Sequence, residues 1–129
     1  MASQALVTPR IVRIRRRGGQ IVQDCQLYIG RKLTMGGWNL AQSKWHNPYK
    51  VGVDGTLDEV CAKYYWYVRN GPLLNDLCQL SGLTLGCWCD IKDRPFIEVL
   101  GRPECHGQVL QRLFWEFCLT TTTQVTQTT

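Results

Sequence analysis

The sequence predicts a small α/β domain, built on a mixed sheet with an N-terminal β-hairpin, a βαβ-type crossover and a C-terminal helix. Short alternating or apolar runs at 11–15, 21–29 and 83–88 have strand length, whereas 57–68 and 109–117 carry apolar residues at helical spacing. The longest helical stretch separates the second strand-like run from the third, as a crossover does. A chain of 129 residues, 44% of them hydrophobic, supplies enough apolar material for one core. We therefore expect one domain over residues 1–119. Residues 120–129 contain only Thr, Gln and Val and read as a low-complexity, mobile tail.

The net charge of +5 is concentrated at the start, where Arg10, Arg13, Arg15, Arg16 and Arg17 crowd together. In Ile11-Val12-Arg13-Ile14-Arg15, alternation puts Val12 and Ile14 on one face and Arg13 with Arg15 on the other. Such a half-buried first strand suits phosphate contact, with a nucleotide or nucleic acid as partner through Arg13, Arg15, Arg16 and Arg17. It equally suits a solvated edge that discourages strand pairing. Aromatics do not interleave with these arginines as they do in a single-strand-binding stripe, and that favours the solvated edge. Gly18-Gly19 marks a turn, and 21–29 reads as a second strand, the hairpin partner of the first.

Residues 32–55 hold Gly36-Gly37, Asn47-Pro48 and Asp54-Gly55, which break regular structure, but also Trp38, Trp45 and Tyr49. That aromatic content is too high for disorder, so an ordered loop packed over something is expected. His46, near its centre, has the chemistry of a ligand or base, though a lone loop histidine is more often a polar surface residue. Thr56-Leu57-Asp58-Glu59 forms a capping box, and Leu57, Val60, Cys61, Tyr64 and Val68 then follow at helical spacing until Gly71-Pro72. A second short helix spans Pro72–Leu80. Cys61 and Cys78 fall among the apolar positions of these helices and read as core thiols.

Leu83-Thr84-Leu85-Gly86-Cys87-Trp88-Cys89 is strand-length and apolar, with Cys87 and Cys89 directed to the same side. Cys105-His106-Gly107 precedes the amphipathic run of Val109, Leu110, Leu113, Phe114 and Phe117, and so falls at a helix N-terminus. Free N–H groups and the helix dipole favour a thiolate or an anion there. Two Cys/His pairs at element ends point to a shared site. No apolar segment approaches the roughly 18 residues of a membrane span. The first residues lack the pattern of a secretory signal. With an odd seven cysteines, this predicts a reducing, intracellular setting, cytoplasmic or nuclear, without membrane association.

Four motifs in order, Tyr28-Ile29-Gly30-Arg31, Ser43-Lys44-Trp45-x-Asn47-Pro48-Tyr49, Leu85-Gly86-Cys87-Trp88-Cys89 and Cys105-His106-Gly107, resemble the DUF4326 family over about residues 28–113. It is a small intracellular family of bacteria, viruses and some eukaryotes. The resemblance implies an α/β domain with site positions at Arg31, Lys44, Asn47, Cys87, Cys89, Cys105 and His106, and Trp45 joins the ligand-binding set beside them. Three features depart from the family pattern: His46 replaces a usual Gly, Gln108 replaces an acid, and residues 90–104 lengthen the path between the two Cys/His pairs. Folded out as a hairpin, the insertion would leave the four site residues together; otherwise their geometry departs from the family's.

The main expectation is a phosphate-bearing ligand, nucleotide or nucleic acid, at this Cys/His site. In one form the site holds Zn²⁺ through Cys87, Cys89, Cys105 and His106, since soft thiolates select zinc over magnesium or calcium. In another it is metal-free and enzymatic, with Cys105 as nucleophile or redox thiol, His106 as base, and Arg31 and Lys44 on the anionic part of a substrate. In a third reading the thiols are inert and the chain is a non-catalytic interaction module.

Overall fold

The apolar stripes of two helices and one face of a short sheet meet in a single core that includes Ile29, Tyr64, Leu85, Leu110 and Phe114. A computed structural model describes residues 6–14, 16–17, 20–21, 25–34, 38–87 and 96–119. The strands are β1 (Arg10–Arg13), β2 (Arg16–Arg17), β3 (Gln20–Ile21), β4 (Leu27–Tyr28) and β5 (Thr84–Cys87). The α-helices are α1 (Leu57–Arg69), α2 (Phe96–Gly101) and α3 (His106–Phe114). A 3₁₀ helix, Pro72–Leu80, follows α1, and α3 continues into a π turn, Trp115–Leu119.

β5 is the middle strand of a three-stranded sheet ordered β1-β5-β4. Both neighbours run parallel to it, Arg13 facing Cys87 on one side and Tyr28 facing Gly86 on the other. The α/β class therefore holds, with α1 and the 3₁₀ helix forming the crossover from β4 to β5. Among the described residues, antiparallel pairing occurs in the separate ribbon β2–β3 and in an isolated bridge between Leu33 and Leu40. The expected hairpin between the first strand and 21–29 is thus corrected. Arg17 pairs with Gln20, so the hairpin closes locally and β1 is left to pair with β5.

The capping box forms as its residue types dictate. Thr56 Oγ1 accepts from Glu59 N at 3.3 Å, and Glu59 Oε1 accepts from Thr56 N at 3.0 Å. Val60, Cys61, Tyr64 and Val68 are buried, whereas Leu57 in the first turn stays 41% exposed. The 3₁₀ helix has three residues per turn, which stacks Leu74, Leu77 and Leu80 inward. The same geometry turns Cys78 out to solvent, where it joins Cys118 in a disulfide. The reading of Cys78 as a packed free thiol is corrected accordingly.

α3 buries Val109, Leu110, Leu113 and Phe114. Its first turn lies close on the sheet because residue 107 is glycine: a Cβ there would stand 2.9 Å from Ile11 Cδ1 and 3.2 Å from Ile29 Cδ1. Within the insertion, Phe96–Gly101 is helical rather than half of a hairpin. The run Phe96-Ile97-Glu98-Val99-Leu100 contains no turn residue to reverse the chain, and Val99 is buried. Arg102 then grips Asp58 of α1 through two bonds, Nε–Oδ1 at 3.1 Å and Nη2–Oδ2 at 3.0 Å, tethering the chain just before Cys105. Expectations for Arg15, Trp88, Cys89 and the tail lie outside the described residues. No helix among the described residues is long and apolar enough to cross a membrane.

Candidate functional site

Parallel pairing brings the carboxyl ends of β1, β5 and β4 to one side of the sheet, where open α/β sheets characteristically bind ligands. The first turn of α3 stands across those ends. Cys105 is its N-cap, and its Sγ accepts from Gly107 N at 3.3 Å. Cys87 at the end of β5 places its Sγ 3.4 Å from that of Cys105, and both residues are buried. Nε2 of His106 lies 2.8 Å from the carbonyl oxygen of Ile29. A carbonyl only accepts, so Nε2 carries the hydrogen, and in the neutral ring Nδ1 is the basic nitrogen.

Above this floor lies a cleft of about 430 Å³. Tyr28, Gly30, Arg31 and Lys32 line one wall, Asn47, Tyr49 and Lys50 another, and Val60, Cys61, Glu104, Cys105 and His106 lie deeper, with Leu57 and Val51 exposed at its edge. The Tyr28-Ile29-Gly30-Arg31 motif has a local explanation. Tyr28 lays its ring over Gly30, where any Cβ would overlap the phenol, and donates its hydroxyl to the Arg31 carbonyl at 2.7 Å. Arg31 Nη2 donates to the carbonyls of Asn47 at 2.7 Å and Tyr49 at 3.0 Å, bracing the long loop against the strand end. Asn47 Oδ1 accepts from Tyr49 N at 2.9 Å, a side-chain-closed turn that fixes the Asn-Pro-Tyr corner.

The loop is also anchored from beneath. Ser43 N donates to the Gly30 carbonyl at 3.0 Å, Trp45 is 2% exposed, and the Tyr64 hydroxyl donates to the Trp45 carbonyl at 2.6 Å. Burial pushes the Tyr64 phenol well above its usual pKa, helped by the negative charge that Cys105 can carry nearby. The Tyr64 ring meets the His106 ring edge-on, centroids 5.4 Å apart. One chain of contacts therefore links loop, α1 and α3.

Of the residues singled out from the sequence, the structure gathers Arg31, Asn47, Cys105 and His106 at the cleft, with Cys87 directly behind Cys105. Lys44 and Trp45 are not brought there. Lys44 pairs with Asp76 at 2.9 Å, and Lys44 and Trp45 line a separate depression beside Leu27 and Leu80. His46 turns Nδ1 to the Ser43 carbonyl at 2.7 Å and does not line the cleft. Arg13 is exposed on the edge strand, outside the cleft, and Arg16 and Arg17 form β2. Among the described residues no three His, Cys, Asp or Glu side chains are grouped to hold a metal ion. Of the expected zinc ligands, Cys87 and Cys105 converge, His106 directs Nε2 to a carbonyl, and Cys89 lies outside the described residues.

The sequence did not single out Tyr28, Lys32, Tyr49, Lys50, Cys61 or Glu104 as cleft residues. Tyr28 and Tyr49 sat inside recognisable motifs, but only the pairing of Arg31 with the loop carbonyls brings their two segments together. Gln108 also has a role: its Oε1 accepts from Glu104 N at 2.7 Å, reaching back over the start of α3 to the residue before the N-cap.

No solved structure matches the chain. An uncharacterized protein of Acanthamoeba polyphaga mimivirus is 42% identical over 109 residues, covering 84% of this chain and 82% of that relative. The sequence pattern of the domain of unknown function DUF4326 matches residues 12–116, from within β1 to the π turn beyond α3. The match takes in all three strands of the sheet, the cleft and both Cys/His segments, and the chain belongs to the DUF4326 family.

Proposed function

We propose that this chain binds a small phosphate-bearing ligand, a nucleotide in preference to a nucleic-acid strand, in the cleft above Cys105 and His106. The observation that carries the reading is the set of cations at that cleft. Arg31, Lys32 and Lys50 line it against a single carboxylate, Glu104, beside the first turns of α1 and α3. Helix N-termini add partial positive charge and N–H donors. Among the described residues Lys32 and Lys50 have no ion-pair partner, and the exposed Arg31 uses only Nη2 in bracing the loop. Tyr28, Tyr49, Leu33, Val51 and Leu57 offer apolar and aromatic surface for a base or sugar. The volume is that of a small-molecule pocket rather than a strand-length groove.

Calorimetric titration with AMP, adenosine and inorganic phosphate tests this. AMP should bind, weaken as salt rises, and outbind both of its parts. Arg31→Ala and Lys50→Ala should each lose roughly tenfold, about 1.4 kcal/mol. Binding of a short single strand without AMP binding would move the function to nucleic acid, with Arg13, Arg16 and Arg17 as further contacts. No binding of either at low salt removes the proposal.

The Gly107 N–H on Cys105 Sγ supports a second reading, metal-free thiol chemistry with Cys105 as nucleophile and His106 Nδ1 as base. Fast, selective alkylation of Cys105 at neutral pH is its signature. Zinc at the Cys87–Cys105 pair would need Cys89 or another third ligand, and metal analysis of untagged protein decides that. An intracellular setting, cytoplasmic or nuclear, is part of the proposal; it is supported by Cys25, Cys61, Cys87 and Cys105 standing as thiols, and the Cys78–Cys118 disulfide weighs against it.

A further inference from the structure

We infer that Cys87 and Cys105 are a redox-active dithiol that a hydroperoxide converts to a reversible disulfide between the end of β5 and the first turn of α3. The two sulfurs stand 3.4 Å apart, so closing to a bond of about 2.05 Å needs a movement of roughly 1.4 Å. The pair is also asymmetric in a way that assigns roles. Cys105 lines the cleft and takes the Gly107 N–H at the start of a nine-residue helix, which favours its thiolate. Cys87 is fully buried behind it. Cys105 is therefore the attacking sulfur and Cys87 the resolving one.

The chemistry balances without a cofactor. Cys105 thiolate attacks one peroxide oxygen, forming an S–O bond as the O–O bond breaks. The departing hydroxide takes up a proton and leaves as water, and Cys105 becomes a sulfenic acid. Cys87 then loses its proton and attacks Sγ of Cys105. An S–S bond forms, the S–O bond breaks, and the second oxygen leaves as water. Two thiols are oxidised by two electrons and one hydrogen peroxide is reduced to two waters. A dithiol reductant reverses the product by exchange.

Cys25, Cys78 and Cys118 are placed differently, whereas Cys61 lines the same cleft as Cys105. Cys25 packs over Gly86, whose Cβ would come within 2.5 Å of the Cys25 sulfur, on the sheet face opposite Cys87. Cys78 and Cys118 are already joined to each other. The dithiol does not depend on nucleotide binding, and its test is chemical rather than a binding assay.

The full-length chain, reduced and desalted, is treated with stoichiometric hydrogen peroxide, quenched with N-ethylmaleimide, digested and mapped by mass spectrometry. A Cys87–Cys105 linked peptide should form before any sulfinic acid on Cys105 and should disappear with dithiothreitol. In Cys87→Ser, Cys105 should stop at a sulfenic acid that dimedone traps. The wild-type map decides the matter even if that variant does not fold. Full alkylation of both thiols after peroxide overturns the inference, as does linkage of Cys105 to Cys61 or Cys89, or a stoichiometric zinc ion that must be stripped before either thiol reacts.

Discussion

The Tyr64 hydroxyl and the Trp45 carbonyl meet at 2.6 Å with both side chains buried, so a buried hydrogen bond ties the crossover helix to the loop that walls the cleft. Tyr64→Phe keeps the ring but leaves that carbonyl without its donor. The expected cost is about 1–3 kcal/mol in urea unfolding, with faster amide exchange across residues 43–49. A variant as stable as the parent, with unchanged exchange, would show that the loop is held by other contacts.

Tyr64 also predicts an alkaline limit to stability. Its folded pKa lies above the ordinary 10.0, from burial first and the Cys105 charge second. A group raised in this way contributes stability that is fully present below its unfolded pKa and is lost as pH rises through the folded value. Stability should therefore fall as pH climbs above 10.0, and Tyr64→Phe should flatten that fall. Parallel curves for the two proteins would assign the alkaline transition to another group.

At the acid end the capping box sets the sign. Glu59 is held below its ordinary carboxylate value of 4.5, chiefly by its bond to the Thr56 backbone and then by the Thr56 side chain. Its contribution is present above 4.5 and is lost as pH falls through the lowered folded value. Thr56→Ala should cost about 1 kcal/mol at neutral pH. It should also reduce the acid-side slope, which urea titrations over a pH series would measure.

The contrast between α1 and the sheet shows what a sequence can carry. Thr56 and Glu59 cap within one turn, so their types and spacing determine the outcome, and α1 begins where they predict. The short second helix and the α3 start at Cys105-His106 are legible for the same reason. Pairing partners are not local. Nothing in Ile11-Val12-Arg13 distinguishes a hairpin partner from a parallel edge, and only tertiary packing assigns β1 to β5. Lys44 illustrates the same limit at the site. Its neighbours in sequence, Asn47 and Tyr49, reach the cleft, while Lys44 turns to Asp76, 32 positions further along the chain.

Gly30 provides a steric test of the cleft wall. A Cβ at this position would overlap the Tyr28 ring, so Gly30→Ala must displace a side chain whose hydroxyl is bonded to Arg31. Ring displacement should loosen the brace from Arg31 to Asn47 and Tyr49 and weaken AMP binding, with a stability loss of about 1–3 kcal/mol. The control is Gly101→Ala, where an added Cβ meets no neighbour within 4 Å. Equal effects at both positions would contradict the steric account.

Cys78 and Cys118 offer the largest single handle on stability. Their disulfide joins the 3₁₀ helix to the π turn beyond α3 across 40 positions of sequence. Closing a loop of that length restricts the unfolded chain, an effect of about 2–4 kcal/mol. Cys78 is exposed while Cys118 is buried, so a small reductant can reach the bond from the 3₁₀ side without the core opening. Dithiothreitol should lower the urea midpoint of the wild-type chain. Cys78→Ser should reproduce that lower midpoint and then respond no further to the reductant through this bond. The Cys87–Cys105 pair remains intact in Cys78→Ser and can be titrated there without interference from the exposed disulfide. A wild-type midpoint indifferent to dithiothreitol, with Cys78 and Cys118 both alkylated after treatment, would mean that packing of Leu77, Leu80 and Phe114 holds this end of the core unaided.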